Sequence, residues 1–310
     1  MKKFNYLHRS AKRFSLLLIV GSMMISGLYA QNMSRYITLN VANDTLISID
    51  LAAEAANTPI KIASGDWDTT ITAGTSWTDY ILYPSHDTIM TIYGDVMKFD
   101  CYENYTNLTG IDVSHNKTLV NLYVNYNDIT SLDVSGCTKL EYLYAEENPS
   151  LTTLKVSGCT SLEKLYCYNS ALTTLDVSAC TALENLVCFG NSFSGQDYDD
   201  LMCSLVNLEN RTTGTFQPIQ NASDANLNTF ANTNSANAKY KNWKVTYYEG
   251  GTIPATNGNF VCPVNMSRYI TFNVIPDSTI KIAFMAETPN TAINIVSGDS
   301  NYNVIISDTS

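Results

Sequence analysis

The sequence predicts a mainly β chain. A solenoid of short parallel strands should occupy residues 96–193, flanked by small antiparallel β-sandwich-like domains and closed by a short α/β cap. Three observations carry this expectation. The phrase Leu140-Glu-Tyr-Leu143-Tyr-Ala145-Glu-Glu-Asn148 recurs as Leu162 to Ser170 and as Leu183 to Asn191, with earlier copies from Val96 to Asn104 and from Leu119 to Asn127. A second phrase, Leu-Thr-x-Leu-x-Val-Ser in form, begins at Leu108, Ile129, Leu151 and Leu172, at intervals of 21, 22 and 21 residues. Finally, Asn32–Asp66 and Asn265–Asp299 align without a gap at an offset of 233, with 21 of 35 positions identical.

The first element is a targeting segment. Lys2, Lys3, Arg9, Lys12 and Arg13 precede an apolar run from Phe14 to Leu28, and small Ala30 precedes Gln31. That order of basic, apolar and small residues predicts an export signal over 1–30 rather than a membrane span. The chain is therefore expected at the cell surface or outside the cell.

Residues 31–95 alternate apolar and polar side chains in short runs, as in Tyr36 to Val41 and Ile60-Lys61-Ile62, separated by Asn43-Asp44, Asn57-Thr58-Pro59 and Ser64-Gly65-Asp66. Period-two runs between turn residues predict a small antiparallel sandwich. Its functional reading is an immunoglobulin-like adhesive domain. The preferred reading is a cap and spacer, because the open end of a stacked array needs covering.

The repeats share the template Leu-x-x-Leu-x-(Val/Cys)-x-x-(Asn/Cys), which resembles the leucine-rich repeat family, and more narrowly the nested form of about 21 residues in Bacteroides-type secreted and surface proteins. The resemblance implies coils that stack their leucines inward, and a surface role in adhesion or protein binding. Asn104, Asn127, Asn148 and Asn191 form one expected inward ladder; Asn116, Cys137, Cys159 and Cys180 form a second. An inward amide can pair backbone groups of the adjoining loop that would otherwise be buried unbonded. Ser170 interrupts the first ladder. Cys101, Cys167 and Cys188 take core positions, so six of the eight cysteines read as buried thiols of the array rather than a disulfide framework; the state of Cys203 and Cys262 is open.

Strand alternation sends the side chains between core positions outward. The first phrase presents Tyr102, Tyr123, Tyr142, Tyr144, Tyr166, Tyr168 and Phe189; the second presents Asp112, Asp133, Lys155 and Asp176 with Ser114, Ser135, Ser157 and Ser178. The aromatic face is the expected ligand-binding surface. The polar face reads as solvated, since Lys155 breaks the acidic column and no oxygen cage for a metal is formed.

After the array, Ser194 to Leu205 reads as a capped helix, Thr213 to Phe216 as a strand, Ser223 to Tyr240 as a second helix and Trp243 to Tyr247 as a strand. Together 194–248 form the expected α/β cap. A Gly- and Pro-containing linker covers 249–263, and a second, incomplete copy of the β domain covers 264–310, as if the chain continued in a longer protein.

Without residues 1–30 the chain carries 13 basic against 29 acidic side chains, a net charge of −16. Such a charge repels nucleic-acid backbones and anionic membranes, and neither is an expected partner. His86 and His115 have no recognisable nucleophile or metal partner, and no phosphate loop or zinc motif is present. The expectation is a non-enzymatic protein without cofactor, binding a protein at the cell surface. A glycan ligand, or a spacer with no ligand, are the alternatives.

Overall fold

The computed structural model describes residues 31–254, 256 and 258–262, and the backbone of 291–297 and 300–306. The expected signal segment and most of the second β copy lie outside the described residues.

The chain is mainly β. Its first six strands are β1 (Tyr36–Val41), β2 (Leu46–Ala53), β3 (Thr58–Ser64), β4 (Trp67–Ala73), β5 (Ile81–Pro84) and β6 (Ile89–Tyr93). Ile37, Leu39, Ile47, Ile49, Ile60, Ile62, Met90 and Ile92 are fully buried at alternate positions, and Asp44, Asn57 and Gly65 take the left-handed conformations that the tight turns need. The repeats supply β7 (Val96–Asp100), β8 (Leu108–Asp112), β9 (Asn121–Tyr123), β10 (Ser131–Asp133), β11 (Tyr142–Tyr144), β12 (Thr153–Lys155), β13 (Lys164–Tyr166) and β14 (Asn185–Val187).

One sheet has the order β4-β3-β6-β1-β8. Strands β7, β9, β11, β13 and β14 pair in parallel and in register, Phe99 beside Leu122, then Leu143, Leu165 and Leu186. The second phrase forms the parallel pair β10–β12.

Hydrogen bonding crosses residue 95. Strand β7 pairs antiparallel with β2 and β8 pairs antiparallel with β1, so the first repeat contributes a strand to each layer of the N-terminal sandwich. One continuous sheet then runs from the sandwich into the array, and one hydrophobic cluster from Ile37 to Ile253 fills both. Fusion of this kind covers the end of the array without leaving an open apolar layer.

Four asparagines bond the turns of the repeats. Asn148 Nδ2 donates to the carbonyls of Val124 at 3.0 Å, Ala145 at 3.1 Å and Glu146 at 3.2 Å, and its Oδ1 accepts from Ile129 N at 3.3 Å. Asn127 and Asn191 bond their own and the preceding turn in the same way. Asn104 extends the ladder into the sandwich by exchanging two bonds with Ser48 of β2, at 2.7 and 2.9 Å. Ser170 is too short to follow: its hydroxyl reaches only Tyr168 O, at 3.5 Å. Ser170→Asn is expected to add bonds to the Ala145 and Cys167 carbonyls and stabilise the chain by about 1 kcal/mol, seen as a higher urea midpoint with an unchanged slope.

The second ladder reaches back to valine carbonyls of preceding turns. Asn116 Nδ2 meets Val96 O at 2.9 Å, Cys159 Sγ meets Val134 O at 3.2 Å and Cys180 Sγ meets Val156 O at 3.6 Å. All six array cysteines are buried free thiols, and Cys203 pairs with Cys262 in a disulfide.

The cap comprises α1 (Gly195–Ser204), β15 (Gly214–Ile219), α2 (Leu227–Ala231), α3 (Ala236–Lys239) and β16 (Trp243–Tyr247). Strands β15 and β16 continue the parallel sheet, giving nine strands in the order β16-β15-β14-β13-β11-β9-β7-β2-β5. Ser194 and Asp197 form a capping box on α1. At the other end Lys241 Nζ donates to the carbonyls of Met202, Cys203 and Leu205, satisfying groups the helix cannot pair itself. The single helix expected over 223–240 is instead α2 and α3. Thr233 returns its hydroxyl to Phe230 O at 2.7 Å, and Asn234 N is held by Asp199 at 2.8 Å, which interrupts the helical bonding between them.

In the second copy, β17 (Thr291–Ser297) and β18 (Ser300–Ile306) form a hairpin. Its register, Thr291 opposite Ile306, is that of Thr58 opposite Ala73 in β3–β4 moved by 233 residues.

Candidate binding face

The outward side of the nine-stranded sheet is where the parallel register brings the tyrosines together. Tyr123 stacks on Tyr144 at 4.6 Å and 15°, and Tyr144 meets Tyr166 edge to face at 4.7 Å and 88°. Each ring follows a buried leucine in its strand, so one-residue alternation turns it outward while the leucine enters the core. All three rings are half-buried.

Trp77 extends this row, 5.7 Å from Tyr123. The sequence offered no periodic signal for it, because it sits in the 74–80 loop. That loop lies on the face: Thr78 N bonds Leu51 O at 3.0 Å, Thr78 Oγ1 bonds Asp50 at 3.0 Å, and Tyr80 OH bonds Asp100 at 2.5 Å. Lys98 Nζ lies 5.9 Å from the Trp77 ring and Lys164 Nζ 5.4 Å from Tyr142. Tyr142 OH also reaches Glu163 at 3.3 Å. Tyr102 joins a second group, 6.4 Å from Tyr80 and 5.5 Å from exposed Tyr126.

Two expected members of the exposed strip are not exposed. Tyr168 is 7% and Phe189 2% accessible; the rings stack at 4.5 Å, and Tyr248 packs over both at 5.5 and 4.9 Å. The turn after β16 folds back to cover this end of the face, held by Tyr248 N to Ile219 O and Glu249 N to Gln220 O. Single-strand alternation places both rings outward correctly; the covering turn is a tertiary contact that alternation cannot report.

The face also holds buried acids. Glu146 is 3% accessible, and its Oε2 has no hydrogen-bond partner. Burial, with Glu147 and Asp100 adding repulsion, pushes its carboxyl up to about 8. Burial raises Asp100 to about 6 against the opposing bonds from Tyr80 and Tyr102 N. Asp50 is raised in the same direction, by burial above all. The second-phrase face differs. Asp112, Asp133 and Asp176 lie exposed, and each accepts from the backbone N–H of the serine two residues on. Among the described residues no group of three His, Cys, Asp or Glu side chains could hold a metal ion.

The chain is similar in part to a solved structure. This is the functional domain of InlJ from Listeria monocytogenes, described as including a cysteine ladder. The match has 21% identity and a TM-score of 0.25, and covers 57% of this chain and 44% of that one. The chain thus spans less than half the length of that structure. No protein-family model and no curated protein sequence matches the chain. Among the described residues no helix is long and apolar enough to cross a membrane.

Proposed function

We propose that the chain is an exported leucine-rich repeat protein whose array forms a solenoid and binds a protein partner through the outward aromatic face. The observation that carries this reading is the unbroken row Trp77–Tyr123–Tyr144–Tyr166, four half-buried rings on one side of one sheet. Half-buried, mutually packed aromatics lose little side-chain entropy when a partner covers them, which is what makes such rings effective anchors. The reading assigns no catalytic role and no cofactor. Export rests on the basic and apolar pattern of residues 1–30.

A protein partner is favoured over a glycan by the ring geometry. Sugars bind tyrosine by lying on an open ring face. Here the faces of Tyr123 and Tyr144 are turned to each other at 15° and Trp77 lies at 29° to Tyr123, so edges and hydroxyls dominate what is offered outward. Edges and hydroxyls suit the mixed apolar and polar surface of a protein.

The test compares the full chain with its Tyr123→Ser/Tyr144→Ser/Tyr166→Ser variant by surface plasmon resonance on extracellular-matrix proteins, mucin and purified polysaccharides. Binding to a protein is expected to fall by roughly 30-fold or more in the variant, given about 2 kcal/mol or more from a central cluster of anchors, with circular dichroism unchanged. Equal binding by both proteins removes the face from the account. Competition by free sugars moves the ligand to the glycan class.

A further inference from the structure

The nine-stranded sheet ends in β16 on one side and β5 on the other, and the five-stranded sheet ends at β4 on one side. Proteins protect such edges with charges or covering segments, because an open edge invites another strand. Two of these three edges are protected in one of these ways. Strand β16 carries exposed Lys244 and is met by the Thr246–Thr252 bridge. Strand β4 carries Asp68, paired with Lys61 at 2.8 Å, and exposed threonines. Among the described residues β5 carries no charge and no covering segment; it is short, and Pro84 ends its row of backbone donors. Tyr80, Ile81 and Leu82 are 48%, 36% and 39% accessible, with Leu46 of β2 beside them at 49%.

The register shows what the edge offers. Ser85 N bonds Thr45 O at 2.9 Å, and β2 and β5 pair Ile47 with Tyr83, Ser48 with Leu82 and Ile49 with Ile81. Stepping by two from the Thr45–Ser85 contact makes Ile47–Tyr83 and Ile49–Ile81 the hydrogen-bonded pairs, which leaves the backbone N–H and C=O of Leu82 pointing away from β2. An open edge of this kind is matched by an extended strand rather than by a helix or a sugar.

We infer that β5 is the seam of a symmetric dimer, in which β5 of a second copy of this chain adds antiparallel about a twofold axis at Ile81. This register sets Leu82 of each copy against Tyr80 of the other and Ile81 against itself, so every cross-strand pair at the centre is apolar. Asp79, with its left-handed backbone, ends the paired stretch, so no carboxylate enters the seam. An isologous seam needs no complementary sequence elsewhere, because the same short strand is self-matching. Pairing joins two nine-stranded sheets edge to edge. The seam is short, so the dimer is weak and reversible, with a dissociation constant on the order of 10–100 μM.

Sedimentation equilibrium of the full chain tests this. The wild type is expected to self-associate in that range, Leu82→Lys to associate at least about tenfold more weakly, and Thr70→Lys on the protected β4 edge to match the wild type. The register has its own test. Ile81 would form a non-hydrogen-bonded pair across the axis, at roughly 4.5 Å between Cα atoms, which a disulfide can bridge with little adjustment. Ile81→Cys should therefore give a disulfide-linked dimer on mild oxidation, whereas Thr70→Cys should not. The six array thiols are buried and do not compete. A wild type that stays monomeric at concentrations on the order of 1 mM, or a Leu82→Lys variant that associates as tightly as the wild type, overturns the inference. Should Leu82→Lys fail to fold, Ile81→Cys decides: a crosslink upholds the seam, and its absence rejects it.

Discussion

Replacing Asn148 by Ala is expected to lower the unfolding free energy by about 3–5 kcal/mol, roughly a third or more of the stability of an ordinary domain. The size follows from which groups lose their partner. Ala145 O is bonded by Asn148 alone and Ile129 N donates to Asn148 alone, so both become buried and unpaired. Val124 O and Glu146 O keep one bond each, from Asn127 Nδ2 and Tyr126 N. Two orphaned backbone groups at about 1–3 kcal/mol each, plus the lost packing of a fully buried side chain, give the stated range. Urea unfolding followed by circular dichroism measures it. Asn125→Ala, two residues before Asn127 on the half-exposed outward face, is the control and should change stability by less than about 0.5 kcal/mol. A cost below about 1 kcal/mol for Asn148→Ala would mean that water replaces the amide and that the ladder is not the element holding the turns together.

That ladder was legible in the sequence because its cause is local. A side chain that must reach carbonyls of its own turn and of the turn before recurs at the period of the turn, and Asn104, Asn127, Asn148 and Asn191 do so. The inward leucines and the outward Tyr123, Tyr144 and Tyr166 were legible for the same reason. Contacts between distant segments were not. Strand β7 follows the repeat template, yet its other edge pairs with β2, and nothing in the period of 96–104 marks that antiparallel partner. Trp77 joins the aromatic row from a loop held down by Thr78 and Tyr80, and Tyr248 closes the other end over Tyr168 and Phe189. Each depends on where a loop lands, which periodicity does not encode. The second helix failed for a related reason. Leu227 and Phe230 have helical spacing, but Thr233 and Asn234 bond Phe230 O and Asp199 instead of continuing the helix.

The face divides its acids by burial, and this gives stability a direction in pH. Glu146 stands outward between Asn125 and Tyr168 in the neighbouring turns, close enough to Tyr126, Tyr144 and Tyr166 that its charge helps to push their hydroxyls up. Its carboxyl titrates near 8 in the fold against an ordinary value of 4.5. A raised carboxyl means that the folded chain holds a proton the unfolded chain has released. The associated stability is complete below about pH 4.5, where both forms are protonated, and is lost as pH rises through about 8. Asp100, raised to about 6 from 3.8, acts with the same sign over a lower window. The protein is therefore expected to be most stable in mild acid and to weaken toward about pH 8, above which buried Lys241, lowered to about 8, acts with the opposite sign. Glu146→Gln keeps the shape and cannot ionise. Relative to wild type it should unfold with nearly the same free energy at pH 4.5 and be more stable at pH 9. The gain is at most roughly 4–5 kcal/mol, because the wild type loses about 1.36 kcal/mol for each pH unit between 4.5 and 8. The slope between pH 4 and 6 should survive in the variant, because Asp100 still titrates there. Urea titrations of both proteins at pH 4.5, 6, 7.5 and 9 separate the two windows. A wild type and variant that run parallel across that range would show that water or a neighbouring group already reaches Oε2 of Glu146, and that its carboxyl ionises as an ordinary one does.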